Sequence, residues 1–240
     1  MPRVASFQTA VRTHVGLART LNEDAYVVSD GLWAVADGMG GHQAGDLASR
    51  LIVEALQEIG GFASGYAHLN AARERLEAVN ADLIARAARM PPGSIIGSTV
   101  AALLVHEDHY ACLWAGDSRV YLRRGGVLMR VTHDHSLVQE LIDSGALDED
   151  EARTRRISNV ITRAVGAAER LELAETHGDI QPGDVFLLCS DGLTGLVLDH
   201  ELGEVLGGPD IEAMADLLLE TTLARGARDN VTLVLVRAGR

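Results

Sequence analysis

The sequence predicts one α+β domain in which a pair of helices covers an antiparallel sheet. Two stretches repeat apolar residues at helical spacing, and a central block holds three strand-like runs separated by turn residues. Two further apolar runs toward the C-terminus have the length of buried strands.

Taken in order, Leu32-Trp33-Ala34-Val35-Ala36 reads as a buried strand that ends on the Asp37-Gly38 turn. Ala44, Leu47, Ala48, Leu51, Ile52, Ala55, Leu56 and Ile59 then follow the helical i, i+3, i+4 rule until Gly60-Gly61 stops it. A second helix runs through Leu69, Ala72, Leu76, Val79 and Leu83 and ends before Pro91-Pro92. Together the two form an antiparallel pair on one face. Residues 98–124 give the meander. The segment 133–158 is polar, with a short amphipathic stretch at 137–142 and a charged run after it, and is expected to form a mobile flap over the sheet edge. A strand at Val185–Cys189, a helix at 211–223 and a final strand through Val231-Thr232-Leu233-Val234-Leu235-Val236 complete the chain.

With 240 residues, 47% of them hydrophobic, the chain can bury one substantial core, and a single domain over 1–240 is expected. No signal-type apolar segment and no bilayer-length apolar stretch is present, so a cytoplasmic protein is expected. Cys112 and Cys189 lie inside strand-like runs without CxxC spacing and read as small buried hydrophobes. The net charge of −13 argues against nucleic acid and anionic membrane surfaces as partners. An anionic substrate is compatible with that charge only where cations reverse the local field.

The carboxylates are placed to do this. Asp37-Gly38 and Asp191-Gly192, more than 150 positions apart, each close a short apolar run. Asp229 immediately precedes the last strand, Asp117 sits between two strand-like runs, and Glu23-Asp24 lie just after Arg19. Asp-Gly is also a common hairpin turn, but five acidic clusters at strand ends exceed turn chemistry and offer the oxygen ligands that hard divalent cations require.

In order, RTLNED, VADGMGGH, GST, AGDSR, HDHS, SDGL and RDNVT resemble the metal-dependent, type 2C family of Ser/Thr protein phosphatases in its compact bacterial form, over nearly the whole chain. The resemblance implies a four-layer αββα sandwich of two antiparallel sheets flanked by helices. It also implies two Mn²⁺ or Mg²⁺ ions, with a third as a further possibility. Asp37 would bridge the two ions, Asp191 and Asp229 would complete one, and Glu23 with the Gly38 carbonyl would serve the other. Asp24 would act through water, Arg19 would grip the phosphate, and a third ion would sit between Asp117 and Asp191. A hydroxide bridging the metals would attack phosphorus directly. The implied activity is hydrolysis of phosphoserine and phosphothreonine in proteins, by a monomer that reverses a bacterial Ser/Thr kinase. A metal-dependent phosphoprotein reader and a hydrolase of small phosphate esters are the competing readings.

Several residues carry blander roles. Ser98 and Thr99 are expected to satisfy backbone groups beside the site. His133 and His135 are expected to be solvated or locally hydrogen-bonded, and Ser118 and Arg119 to fix the turn that presents Asp117. Two departures from the family pattern stand out. Met39 occupies the position where many members carry a His as general acid, which leaves His42 as the nearest imidazole in sequence. Arg156-Ile157-Ser158 stands where bacterial members usually have His-Pro ahead of their NVxTRAxG stretch.

Overall fold

The computed structural model describes residues 6–40, 44–60, 63–148, 151–152 and 160–239. Two antiparallel sheets pack face to face. The first is ordered β1 (Phe7–His14), β11 (Val231–Ala238), β10 (Val185–Cys189), β7 (Arg119–Arg124) and β8 (Val127–Arg130). The second is ordered β2 (Asp24–Ser29), β3 (Leu32–Met39), β5 (Val100–His106), β6 (His109–Ala115) and β9 (Ala174–Asp179), with the two-residue β4 (Gly97–Ser98) on the end of β3.

Three apolar clusters separate four layers. Helices α1 (Ala44–Gln57) and α2 (Gly65–Ala87) bury Ile52, Leu56, Leu76 and Leu83 against the outer face of the second sheet. Trp33, Leu103, Phe186 and Val234 fill the space between the sheets. On the outer face of the first sheet, Leu187, Leu233 and Leu235 meet α4 (Asp191–Thr194), α5 (Asp199–Val205) and α6 (Ile211–Ala224). The alternation of side-chain direction along a strand produces this split. In β10, Phe186 and Leu188 face the other sheet, while Val185, Leu187 and Cys189 face the helices. The αββα sandwich is the fold that the family resemblance implied.

The predicted elements form, with three corrections. First, Asp37-Gly38 is not a turn. β3 continues through it, because Gly38 pairs with Ser98 and Met39 with Gly97. Second, Asp191-Gly192 opens a short helix rather than a hairpin. Third, the segment expected to be a flap is anchored where it begins. Asp134, His135 and Ser136 are all buried, and Thr162 N–H donates to the His135 carbonyl. Within that segment, α3 (Leu137–Asp143) is capped by Ser136, whose hydroxyl accepts from Gln139 N–H. Residues 149–150 and 153–159 of the segment lie outside the described residues.

Strands β1, β2, β8 and β9 and helix α5 had no strong sequence signature. β9 reads AETHGD, an alternation with hardly an apolar residue, and it lies at a sheet edge, where only one neighbour is needed. Cys112 and Cys189 are buried and unpaired, as expected. No helix among the described residues is long and apolar enough to cross a membrane.

Candidate metal centre

The acids that the sequence scattered along the chain meet at one end of the sandwich. β2 and β3 pair with Asp24 directly opposite Asp37. From the other sheet, Asp191 follows β10 by two residues, Asp229 precedes β11 by two, and Asp117 precedes β7 by two. The two sheets thus contribute to opposite walls of a single cleft.

Close backbone packing sets this geometry. A Cβ on Gly38 would lie 2.1 Å from the Gly45 carbonyl oxygen, and one on Gly45 would lie 2.7 Å from Glu23 Oε1. The start of α1 therefore lies against the end of β3, with the Glu23 carboxylate beside it. Gly38 N–H also donates to the Glu23 carbonyl at 3.1 Å. On the other wall, a Cβ on Gly192 would meet the Asn230 carbonyl at 1.9 Å, so α4 can abut the loop before β11 only with glycine there.

Hydroxyls and amides hold the acids in register. Thr99 Oγ1 accepts from Asp37 N–H at 3.0 Å and shares a 2.7 Å hydrogen bond with Ser118 Oγ, the residue after Asp117. Ser98 Oγ donates to the Asp37 carbonyl at 2.9 Å. These are the backbone-satisfying roles expected of the GST stretch. Arg119 forks onto Asp134, with Nη2 at 2.7 Å, and Gly116 N–H donates to His135 Nδ1 at 3.3 Å. The HDH run therefore fastens the Asp117 turn and binds locally, as expected. Burial pushes His135 down to about 4, with Arg163 acting in the same direction, so the ring stays neutral and can accept.

Three participants were not expected as site residues, although Ser190 and Asn230 fall inside the SDGL and RDNVT strings. Ser190 Oγ donates to Asp24 Oδ2 at 2.8 Å and accepts from Thr232 N–H, which ties an acid of one sheet to the other. Asn230 accepts from Glu23 N–H and donates to the Val15 and Leu21 carbonyls, fixing the loop that carries Arg19 and Glu23. Asn80, in the middle of α2, accepts from Gly166 N–H at 2.7 Å and steadies the turn whose Val165 pairs with Ser98. Ser190 and Asn230 adjoin predicted acids, and that adjacency is the one cue available.

Arg19 sits at the mouth, with Nη2 2.9 Å from Asp229 Oδ2 and both side chains about half exposed. It pairs with Asp229 and not with its sequence neighbour Glu23. Met39 closes the end of β3 and lies against Gly97, where a Cβ would meet its methyl at 2.9 Å. His42 lies outside the described residues.

The electrostatics of the cleft are those of acids in want of cations. Desolvation raises Asp24 to about 7, against hydrogen bonds from Ser190 and Thr232. Asp117 also rises to about 7, through desolvation and then the charge of Asp191. Asp37 stands well above the usual carboxylate range, through burial and then Asp24, Asp191 and Asp117. Asp191 is raised by burial and then by Asp229. Asp24 Oδ1 is buried with no hydrogen-bond partner among the described residues. An all-oxygen donor set with an orphaned carboxylate oxygen and mutual repulsion suits hard divalent cations. Among the described residues no three acidic or imidazole side chains already converge on one point. Asp229 is turned to Arg19, so backbone carbonyl and water would complete the coordination, as such cations favour.

These shifts predict a proton-linked metal site. An acid whose pKa is higher folded than unfolded favours the native state at low pH and loses that contribution as pH rises through the folded value. For Asp24 and Asp117 the window runs from about 4 to about 7. Cations compete with those protons, so the rise in Tm that Mn²⁺ confers should grow steadily from pH 5 to pH 8. A Mn²⁺-induced shift independent of pH would contradict this reading.

A family model for protein phosphatase 2C matches residues 18–231. Among curated proteins, the chain is 36% identical over 226 residues to the serine/threonine protein phosphatase PstP of Mycobacterium tuberculosis, covering 94% of this chain and 44% of that protein. The chain thus spans less than half the length of that relative. It is also similar in structure to PppA, described as a key regulatory component of T6SS in Pseudomonas aeruginosa. The TM-score is 0.90 and the identity 44%, covering 99% of this chain and 100% of that one. The catalytic domain of PstP in complex with two manganese ions superposes with a TM-score of 0.87 at 35% identity, covering 98% of this chain and 99% of that one.

Proposed function

Because the chain belongs to the protein phosphatase 2C family, we propose that it is a Mn²⁺- or Mg²⁺-dependent phosphatase acting on phosphoserine and phosphothreonine in proteins, as a monomer that opposes a Ser/Thr kinase. The observation that carries this reading is the meeting of Asp24 and Asp37 from one sheet with Asp117, Asp191 and Asp229 from the other, beside Arg19.

In this reading Asp37, Asp191, Asp229, Glu23 and the Gly38 carbonyl hold two cations. Asp24 contributes through water, and Asp117 with Asp191 offers a further position. The bound cations supply Lewis acidity toward the phosphoryl oxygens and an activated water. The chain's own residues do the rest. Thr99, Ser98, Ser190 and Asn230 hold the acids so that little reorganisation is needed when substrate arrives.

Arg19 binds the phosphoryl group. Its contact to Asp229 uses one of five guanidinium donors and is solvent-exposed, a setting in which an ion pair contributes about 0–1 kcal/mol. Exchanging that carboxylate for a phosphoryl oxygen therefore costs little, and the planar fork suits the new partner. Met39 has no proton to give the departing serine alkoxide. The donor is either His42, the nearest imidazole in sequence to the metal-binding strand end, or a metal-bound water that leaves His42 a polar residue at the start of the following helical stretch.

Turnover of a phosphoserine peptide should require Mn²⁺ or Mg²⁺ and vanish in excess chelator. Asp37→Ala and Asp229→Ala should each lower kcat by about a thousandfold or more, the scale of losing metal-activated water. Full activity in chelator would sink the mechanism. Arg19→Ala should lower kcat/KM by roughly tenfold to a few hundredfold, because charge-assisted hydrogen bonds are worth about 1.5–3 kcal/mol. Its metal content should not change, and loss of bound Mn²⁺ would instead make Arg19 structural. His42→Ala should slow phosphopeptide turnover at least about tenfold while sparing p-nitrophenyl phosphate, whose leaving group needs no acid. Equal effects on the two substrates would remove His42 from the mechanism.

A further inference from the structure

We propose that the end of the first sheet remote from the metal centre carries a second site, one that binds an oxyanion of the phosphate type between Arg123 and Arg237. The register of four strands creates it. Gln8 on β1 lies opposite Arg237 on β11, Arg237 opposite Val185 on β10, and Val185 opposite Arg123 on β7. Directly opposed residues in antiparallel strands point to the same face. Here that is the helix-covered face, because Ala10, Leu235, Leu187 and Tyr121, two positions along the same strands, all belong to the core beneath the helices. The two arginines are separated by two strand spacings, about 10 Å, with Val185 as the floor.

A cavity of about 540 Å³ opens over this row, lined by Ser6, Gln8, Arg123, Arg237 and the glycine-rich turn after α5. None of the lining residues is an acid, in a chain with 34 acidic and 21 basic residues. Nearby acids are engaged elsewhere. Asp184 accepts two bonds from Arg124 and one from Gln181 N–H, and Asp210 caps α6 through Glu212 N–H.

Backbone carbonyls hold the two guanidinium groups in place without neutralising them. Arg237 donates to the Pro209 and Gly208 carbonyls at 2.6 Å each, and Arg123 Nε donates to the Gly203 carbonyl at 3.0 Å. Arg123 Nη1 and Nη2 have no acceptor among the described residues. Two fixed cations, with a hydroxyl and an amide that can also donate, make a donor-rich, acid-free concave site for a multivalent oxyanion. The volume exceeds that of a bare phosphate and leaves room for an attached group. The site lies eight residues along β11 from Asp229, about 26 Å away, so it is separate from the metal cleft.

The test is a titration of the Mg²⁺-loaded protein with inorganic phosphate in one arm and phenylphosphonate, a non-hydrolysable ester analogue, in the other, followed by amide and arginine Nε–H NMR shifts. The Gly207 and Gly208 amides and the side chains of Arg123 and Arg237 should shift saturably with both probes, and the tighter probe identifies the source as free phosphate or an ester. Arg123→Gln should weaken binding there by about tenfold or more, while the shifts around Asp37 from phosphate in the metal cleft persist. Gln8→Glu, an exposed change that touches none of the carbonyl anchors, should abolish binding by placing a negative charge in the row. Binding should weaken as salt is raised. Unmoved Gly207 and Gly208 amides with both probes, at concentrations that saturate the metal cleft, would overturn the proposal. So would undiminished binding in Gln8→Glu.

Discussion

The burial of several carboxylates together at one end of the β-sandwich is the constraint on which the rest of this structure depends. Asp24, Asp37, Asp117 and Asp191 all have their acidity suppressed, by desolvation first and then by neighbouring carboxylates, Asp229 among them. Without cations, such a cluster relieves its charge by holding protons. It is held by neutral groups: Thr99 accepts from Asp37 N–H, Ser98 donates to the Asp37 carbonyl, Ser190 donates to the Asp24 carboxylate, and Asn230 accepts from Glu23 N–H. Close glycine contacts at Gly38, Gly45 and Gly192 bring the backbones near enough for those bonds. The interior between the sheets, filled by residues such as Trp33, Phe186 and Val234, supplies the cohesion against which the charges strain.

Much of this was legible in the sequence because it is local. The helix over 44–57 and the strands over 185–189 and 231–238 announce themselves by periodicity or by unbroken apolar runs. The acids stand out because each ends such a run. What could not be read depends on partners far along the chain. Ser190 is an ordinary serine until Asp24 is found across the cleft, 166 positions away. Arg19 could have paired with Glu23 four residues on, yet its partner is Asp229, 210 positions away. The edge strand β9 carries almost no apolar residue, and the anchoring of His133 to Ser136 rests on contacts with Arg119 and Gly116 that no polarity scale reflects. Asp37-Gly38 misleads as a turn because the strand that continues past it needs only the two-residue β4 as partner.

The same strands that carry acids at one end carry arginines at the other. β7 begins two residues after Asp117 and has Arg123 next to its last position, and β11 begins two residues after Asp229 and has Arg237 next to its last. On these two strands an acid and an arginine thus mark opposite ends, in a chain whose net charge is strongly negative.

The pairing of β1 with β11 has a bearing on how the molecule is made. β11 is an inner strand, bonded on one side to β1 and on the other to β10. Its eight-residue ladder with β1 joins positions more than 200 residues apart. During synthesis β1 emerges early and must wait, unpaired, for almost the whole domain to follow. Such long-range closure is slow, and the waiting strands are open to wrong partners. Because Asp229 and Asn230 arrive only with β11, the cleft cannot assemble on a growing chain. In the proposed reading, a nascent chain of this protein therefore gains its metal site only once β11 is in place.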